Sequence, residues 1–184
     1  MLSTVTSVGD WTTAFLDGLQ VMATRPCTDS PGPAGVLDAS KPAPSLSGSA
    51  VTRYTPSSPD DEAAWIVSMT LQYARQGTPV LLRIRAGSAP TLAHQFASAM
   101  GRIDRNRLRC TMLTDDEWPR LTAAVEELRS LPIVLVESAP QTQGDEDVLG
   151  AQIAAQFNAT NLVFICADGK SGRAEAKLRC YDQT

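Results

Sequence analysis

The chain has a single histidine, His94, and its four cysteines, Cys27, Cys110, Cys166 and Cys180, include no pair at C-x-x-C spacing. Tetrahedral zinc sites draw on clustered cysteine and histidine at short spacings, so a structural zinc is not expected. One histidine also gives no basis for a Ser-His-Asp or Cys-His arrangement. His94 lies off the apolar stripe of its segment and reads as a surface side chain rather than a general base. No stretch approaches the roughly 20 apolar residues that a helix needs to cross a bilayer. There is no basic excess either: sixteen Lys and Arg stand against twenty Asp and Glu, a net charge of −4, which gives no global attraction to nucleic acid or membrane. The opening residues MLSTVTSVGDW lack the basic start and apolar run of a secretory signal. The expectation is therefore a cytoplasmic protein with reduced thiols and no membrane partner.

What is present is the composition of a globular protein: 184 residues, 43% hydrophobic and 20% charged, suit one domain of ordinary size. A chain of this length buries roughly 70% of its unfolded surface, enough for a core without staples. Its organisation reads in three parts. Residues 1–24 form an N-terminal arm in which Trp11, Phe15, Leu16, Leu19 and Met22 suit one short helix. Residues 25–49, RPCTDSPGPAGVLDASKPAPSLSGS, are dense in Pro, Gly, Ser and Ala and predict a long loop or linker, with too little apolar surface to offset its ordering entropy. Residues 50–184 alternate strand and helix.

Within that region the spacing predicts a short strand over 50–54 and a helix over 60–76, with Ala63, Ile66, Val67, Thr70 and Ala74 on one face and Gly77 as its stop. VLLRIR at 80–85 predicts a strand. Residues 90–100 predict a helix with Leu92, Phe96 and Met100 four apart. The helix over 114–130 starts at a capping box of Thr114 and Glu117, with Asp115 and Asp116 in its first turn, and buries Leu121, Ala124, Val125 and Leu128. IVLV at 133–136 and LVFICA at 162–167 are continuous apolar runs of the kind buried on both faces of a parallel sheet. Between them a helix over 147–157 aligns Leu149, Ile153 and Phe157. The tail AEAKLRCY alternates with period two, a half-buried strand joined through Asp168–Gly172 as a hairpin. The whole reads as a three-layer α/β fold with an antiparallel edge.

Two segments carry a family likeness. In RIDRNRLRCTMLTDDEWPRLTAAVEELRSLPIVLVES, the residues Arg102, Ile103, Asp104, Arg107, Leu108, Arg109, Leu113, Asp115, Asp116, Glu117, Trp118, Arg120 and Leu121 stand at fixed spacing. They match the stretch of DnaB-type replicative helicases that runs from an arginine-containing segment to "D/E-D/E-D/E-W-x-R" and on to a "PLYIDD" strand. TPSSPDDEAAWIVSMTLQYARQGTPVLLRIRAGSAPTLAHQFAS, Thr55 to Ser98, resembles that family's phosphate loop, first helix and second strand, with Pro56 and Ser57 on its "R-P-S". SGRAEAKLRCYD is similar to its closing strand. Together these span about half of the chain. The resemblance implies a RecA-like (P-loop NTPase-like) domain: a mainly parallel sheet flanked by helices, with an antiparallel C-terminal edge hairpin.

The family's Gly-Lys-Thr, which curls around the phosphates, neutralises them and holds magnesium, falls on Pro59, Asp60 and Asp61. Proline fixes φ and removes a donor, and aspartate repels phosphate. The family's catalytic glutamate falls on Ala86, and the only aspartate near its second metal position is Asp168. The resemblance thus implies a degenerate phosphate loop, Pro56, Ser57, Ser58, Pro59, Asp60 and Asp61, that binds no cofactor and no metal, in a chain that is not an ATPase. Carboxylates at the helix start take the place of the anion. An open cup there with a lysine or arginine reaching into it would contradict this. The expected role is a non-catalytic protein-interaction or regulatory module in DNA replication, partnered by a replicative helicase or by itself as a homo-oligomer. Two alternatives stand beside it: a residual nucleotide-binding ATPase, and a DNA-binding protein using Arg102, Arg105, Arg107 and Arg109. No aromatic residue interleaves with those arginines, so base stacking is not signalled. Asp115, Asp116 and Glu117 read as helix capping rather than a metal cluster, and Trp65 and Trp118 as packing residues.

Overall fold

The structure, a computed structural model, describes residues 4–7, 35–40, 44–46, 51–85, 88–138, 146–167 and 174–181. The arm helix expected within residues 11–23, and the positions Cys27, Ala86 and Asp168, lie outside the described residues. Six strands form one sheet: β1 (Thr4–Ser7), β2 (Val51–Tyr54), β3 (Val80–Arg85), β4 (Ile133–Ser138), β5 (Asn161–Ala167) and β6 (Ala174–Cys180). Their spatial order is β1-β4-β3-β5-β6-β2. The helices are α1 (Pro59–Arg75), α2 (Ala89–Gly101), α3 (Arg105–Arg109), α4 (Glu117–Ser130) and α5 (Glu146–Gln156).

The sheet is mixed, which corrects the expectation of a mainly parallel one. Only β3 with β4 and β3 with β5 pair in parallel; β1 with β4, β5 with β6, and β6 with β2 are antiparallel. The tail hairpin partner β6 is also not an edge: β2 pairs with its outer side, Thr52 opposite Ala176. Two reversals in succession leave β2 pointing the same way as β5, β3 and β4. The turn after β2 therefore lies at the carboxyl ends of the parallel strands, where α/β sheets place their ligand crevices.

One ladder of side chains crosses the sheet: Leu135, Leu82, Ile165 and Ala176 stand opposite one another on successive strands. They face α1, α2 and α4, and join Val67, Phe96 and Leu121 in the main core. Alternate residues Leu81, Val134, Val136 and Leu162 face the other way, onto Ile153 of α5. This is why the central strands read as unbroken apolar runs: both faces are covered. Phe157, expected in line with Ile153, is exposed, because α5 ends before it.

Helix ends follow local chemistry. Gly77 has φ +79, and the Gly77 and Thr78 N–H groups donate to Ala74 and Tyr73 carbonyls, a Schellman close that only glycine takes without strain. α2 ends instead on Arg102 at φ 51. Its terminal carbonyls are met by Arg120, whose Nη1 donates to Arg102 O at 3.1 Å. Part of the Pro/Gly/Ser-rich stretch packs, contrary to the linker expectation. Leu37 and Leu46 are buried in the main core. The Leu37 N–H donates to Ser98 Oγ at 3.2 Å, and the Leu46 N–H to the Tyr73 phenol oxygen at 2.6 Å. Two leucines and two latches strap this stretch across α1 and α2.

Candidate functional site

The turn that carries the phosphate-loop resemblance does lie between β2 and α1. Ser58 is extended (φ −155, ψ 164) and caps the helix: its Oγ accepts from Asp61 N–H at 3.1 Å. Pro59 follows at the first helical position, where a missing N–H is harmless. Asp61 completes the box by reaching back, its Oδ2 accepting from Ser57 N–H and Ser57 Oγ–H, both at 2.9 Å. Pro56 is half-buried ahead of them.

Asp60 points to α3. Arg105 grips its carboxylate with both terminal nitrogens, at 2.5 and 2.9 Å. The guanidinium holds the Asp60 carboxyl below the usual aspartate range, and the carboxylate raises the arginine in turn. The Arg105 backbone N–H donates to Gly35 O at 3.2 Å, which ties the strap to the same place. The positive end of the α1 dipole is thus met by two of the helix's own carboxylates.

Carboxylates also meet the starts of α2, α3 and α4. Glu137, at the carboxyl end of β4, accepts from Ala89 N–H at the start of α2 (3.1 Å). Asp104 caps α3 through the Asn106 and Arg107 N–H groups. At α4 only half of the expected capping box forms: Thr114 N–H donates to Glu117 Oε2 at 2.9 Å, but the Glu117 N–H donates to the Thr114 carbonyl rather than its hydroxyl, and the helix begins at Glu117, three residues later than expected. Glu117 is buried, and Arg107 Nη2 lies 2.9 Å from the same oxygen. Asp116, exposed, is held below its ordinary range by a hydrogen bond from Thr114, with Arg120 assisting.

The arginines of the run have different surroundings. Arg105 is committed to Asp60 and Arg107 to Glu117, while Arg102 caps α2 and, with Arg109, is exposed. His94 is half-buried rather than a surface residue: its Nδ1 is 2.7 Å from Pro90 O, and burial pushes its pKa down. Trp118, expected to pack, is 46% exposed beside the start of α4. Trp65 does pack, stacked on Tyr54 with ring centres 5.2 Å apart and planes within 1°. Asp61, by hydrogen bond first and by charge, and burial push the Tyr54 phenol up.

A cavity of about 580 Å³ opens beside this turn. Its inner wall is Tyr54, Trp65, Ala64 and Ser68; Val36, Leu37 and Pro44 of the strap face them; Asp38, Asp60, Asp61, Arg53 and Arg105 supply its charge. A concave cup with an arginine at its wall is therefore present, against the sequence expectation, though the guanidinium is closed on Asp60. Sequence reasoning missed the cup because the strap that forms its outer wall reads as linker. It missed Glu137 because a carboxylate ending an apolar strand is a weak signal until the strand's direction is known.

Among the described residues no group of three or more His, Cys, Asp or Glu is placed to hold a metal ion, and no helix is long and apolar enough to cross a membrane. Cys110 is disulfide-bonded, whereas Cys166 and Cys180 are not in disulfides. That corrects the expectation of uniformly reduced thiols. No protein-family model matches the chain, no curated protein matches it, and no solved structure matches it.

Proposed function

We propose that this chain is a non-catalytic, RecA-like homologue of a replicative helicase motor domain, working as a protein-interaction or regulatory module in DNA replication. The observation that carries the non-catalytic part is the Asp60–Arg105 grip at the start of α1, with Asp61 folded onto Ser57 and Ser58. A nucleotide triphosphate arriving there would meet two carboxylates, and the nearest guanidinium is already engaged. The motif run from Arg102 to Leu121, and the position of the turn at the carboxyl ends of the parallel strands, support the helicase kinship. The replicative helicase, or a second copy of the chain, is the partner that kinship suggests, since motor domains of this kind assemble side by side.

The DNA-binding alternative loses support from the pairing of Arg105 and Arg107 with carboxylates. Titration calorimetry with ATP and magnesium tests the first part: no heat of binding is expected, and micromolar affinity would refute it. Gel filtration of the purified chain with the host's replicative helicase tests the second. Co-elution is expected; separate elution of both proteins, with this chain as a monomer, would sink the partner assignment.

A further inference from the structure

We propose that the cavity between the strap and the β2–α1 turn is a binding site for a small organic cation, a planar apolar body carrying one ammonium or amidinium group. This goes beyond the reading above and does not depend on it. At about 580 Å³ the cavity is within the size range of small-molecule sites, and its make-up is theirs as well: mostly apolar walls with a few charged groups at fixed places. The stacked Tyr54 and Trp65 rings form a rigid wall, since Trp65 is 8% exposed and anchored in the core. Facing them, Val36 is 46% exposed, an apolar side chain that a ligand would cover.

Charge decides the sign of the ligand. The lining carries three carboxylates, Asp38, Asp60 and Asp61, against two guanidiniums, Arg53 and Arg105. Arg105 is gripped by Asp60, and Arg53 is bonded at 2.9 Å to Glu175, outside the cavity. Among the described residues of the lining the formal balance is −1. An anion would be repelled and a cation drawn in, and the apolar body would lie against the ring wall.

Benzamidine and benzoate, equal in ring and opposite in charge, test this on the full chain. The indole N–H signal of Trp65, identified by its loss in Trp65→Phe, is followed by NMR. Benzamidine is expected to move it saturably, at least about fivefold tighter than benzoate, the ratio that one unit-charge contact in a watery setting gives. Asp38→Asn, which keeps an oxygen to accept from Ser40, is expected to weaken benzamidine about threefold or more while leaving the thermal midpoint unchanged. Equal or tighter binding of benzoate, an unmoved Trp65 signal at ~10 mM of both probes, a level well above ordinary ligand affinities, or unchanged benzamidine affinity in Asp38→Asn would each overturn the proposal.

Discussion

Replacing Asp60 by asparagine removes the charge at the start of α1 and keeps the shape. Two contributions are lost. The first is the bidentate pair with Arg105, whose side chain is 19% exposed while that of Asp60 is 63% exposed. Such a pair lies near the solvent-screened limit, where exposed ion pairs give about 0.2–1 kcal/mol. The second is the favourable meeting of a carboxylate with a helix N-terminus, about 0.3–1 kcal/mol. Asp60→Asn should therefore destabilise by about 1 kcal/mol, or a fall of about 2–4 °C in melting temperature for a chain of this size.

The pH dependence has a definite sign. The folded-state pKa of Asp60 lies below its ordinary value of 3.8. Its contribution is fully present above that value and is lost as pH falls through the lower, folded-state value. Urea titrations followed by circular dichroism at pH 7 and again below pH 3 measure this. The gap between wild type and Asp60→Asn should be open at pH 7, narrow as acid is added, and shrink in about 0.5 M salt, where the Debye length is only a few ångströms. A gap that is the same at both pH values would refute the assignment of this stability to the ionised pair.

Other substitutions probe other joints. Glu117→Ala removes a buried carboxylate that meets both Thr114 N–H and Arg107; a loss of about 2–3 kcal/mol is expected by urea unfolding, well above that for Asp60, because one partner is buried. Tyr73→Phe leaves the Leu46 N–H without its phenol acceptor; limited proteolysis should cut the strap faster, with a stability loss of about 1 kcal/mol. Gly150→Ala would gain about 1 kcal/mol of helix propensity. However, the new methyl would meet the Tyr181 hydroxyl and come within 2.5 Å of Phe164 Cζ on β5. Overpacking of about 1–3 kcal/mol should win, giving a lowered melting temperature.

The elements were legible where periodicity and stop signals agree. Helix α1 and the strand VLLRIR appear nearly where the spacing puts them, because Gly77 and the apolar stripe mark the same stretch. The contact of Glu117 with the Thr114 N–H was readable because it is short-range, whereas the start of α4 at Glu117 rather than Thr114 was not. What the sequence did not reveal is long-range. β2 and β6 are over 120 residues apart, and nothing local says that β2 would pair outside β6 and turn the tail strand into an interior one. β1 is four residues long and too short to show a period. The strap was hidden by its composition: Leu37 and Leu46 are two leucines in a polar run, and their burial depends on Tyr73 and Ser98 supplying the hydrogen bonds. At the candidate site, Asp60 and Asp61 were readable as carboxylates at a helix start. Arg105 was noticed only as one of a basic run, since its partner lies 45 residues away.

The pairing of β1 with β4 bears on how the chain is made. Thr4 is opposite Glu137 and Ser7 is opposite Val134, so β1 must wait roughly 130 residues of synthesis for its neighbour. Closing so wide a loop is slow relative to local helix formation, although its entropy grows only with the logarithm of length. Until it closes, the outer side of β4 offers an unsatisfied row of backbone donors and acceptors to any other strand nearby. Truncation of the first seven residues should accordingly show itself less in the finished core than in the yield of soluble protein during synthesis.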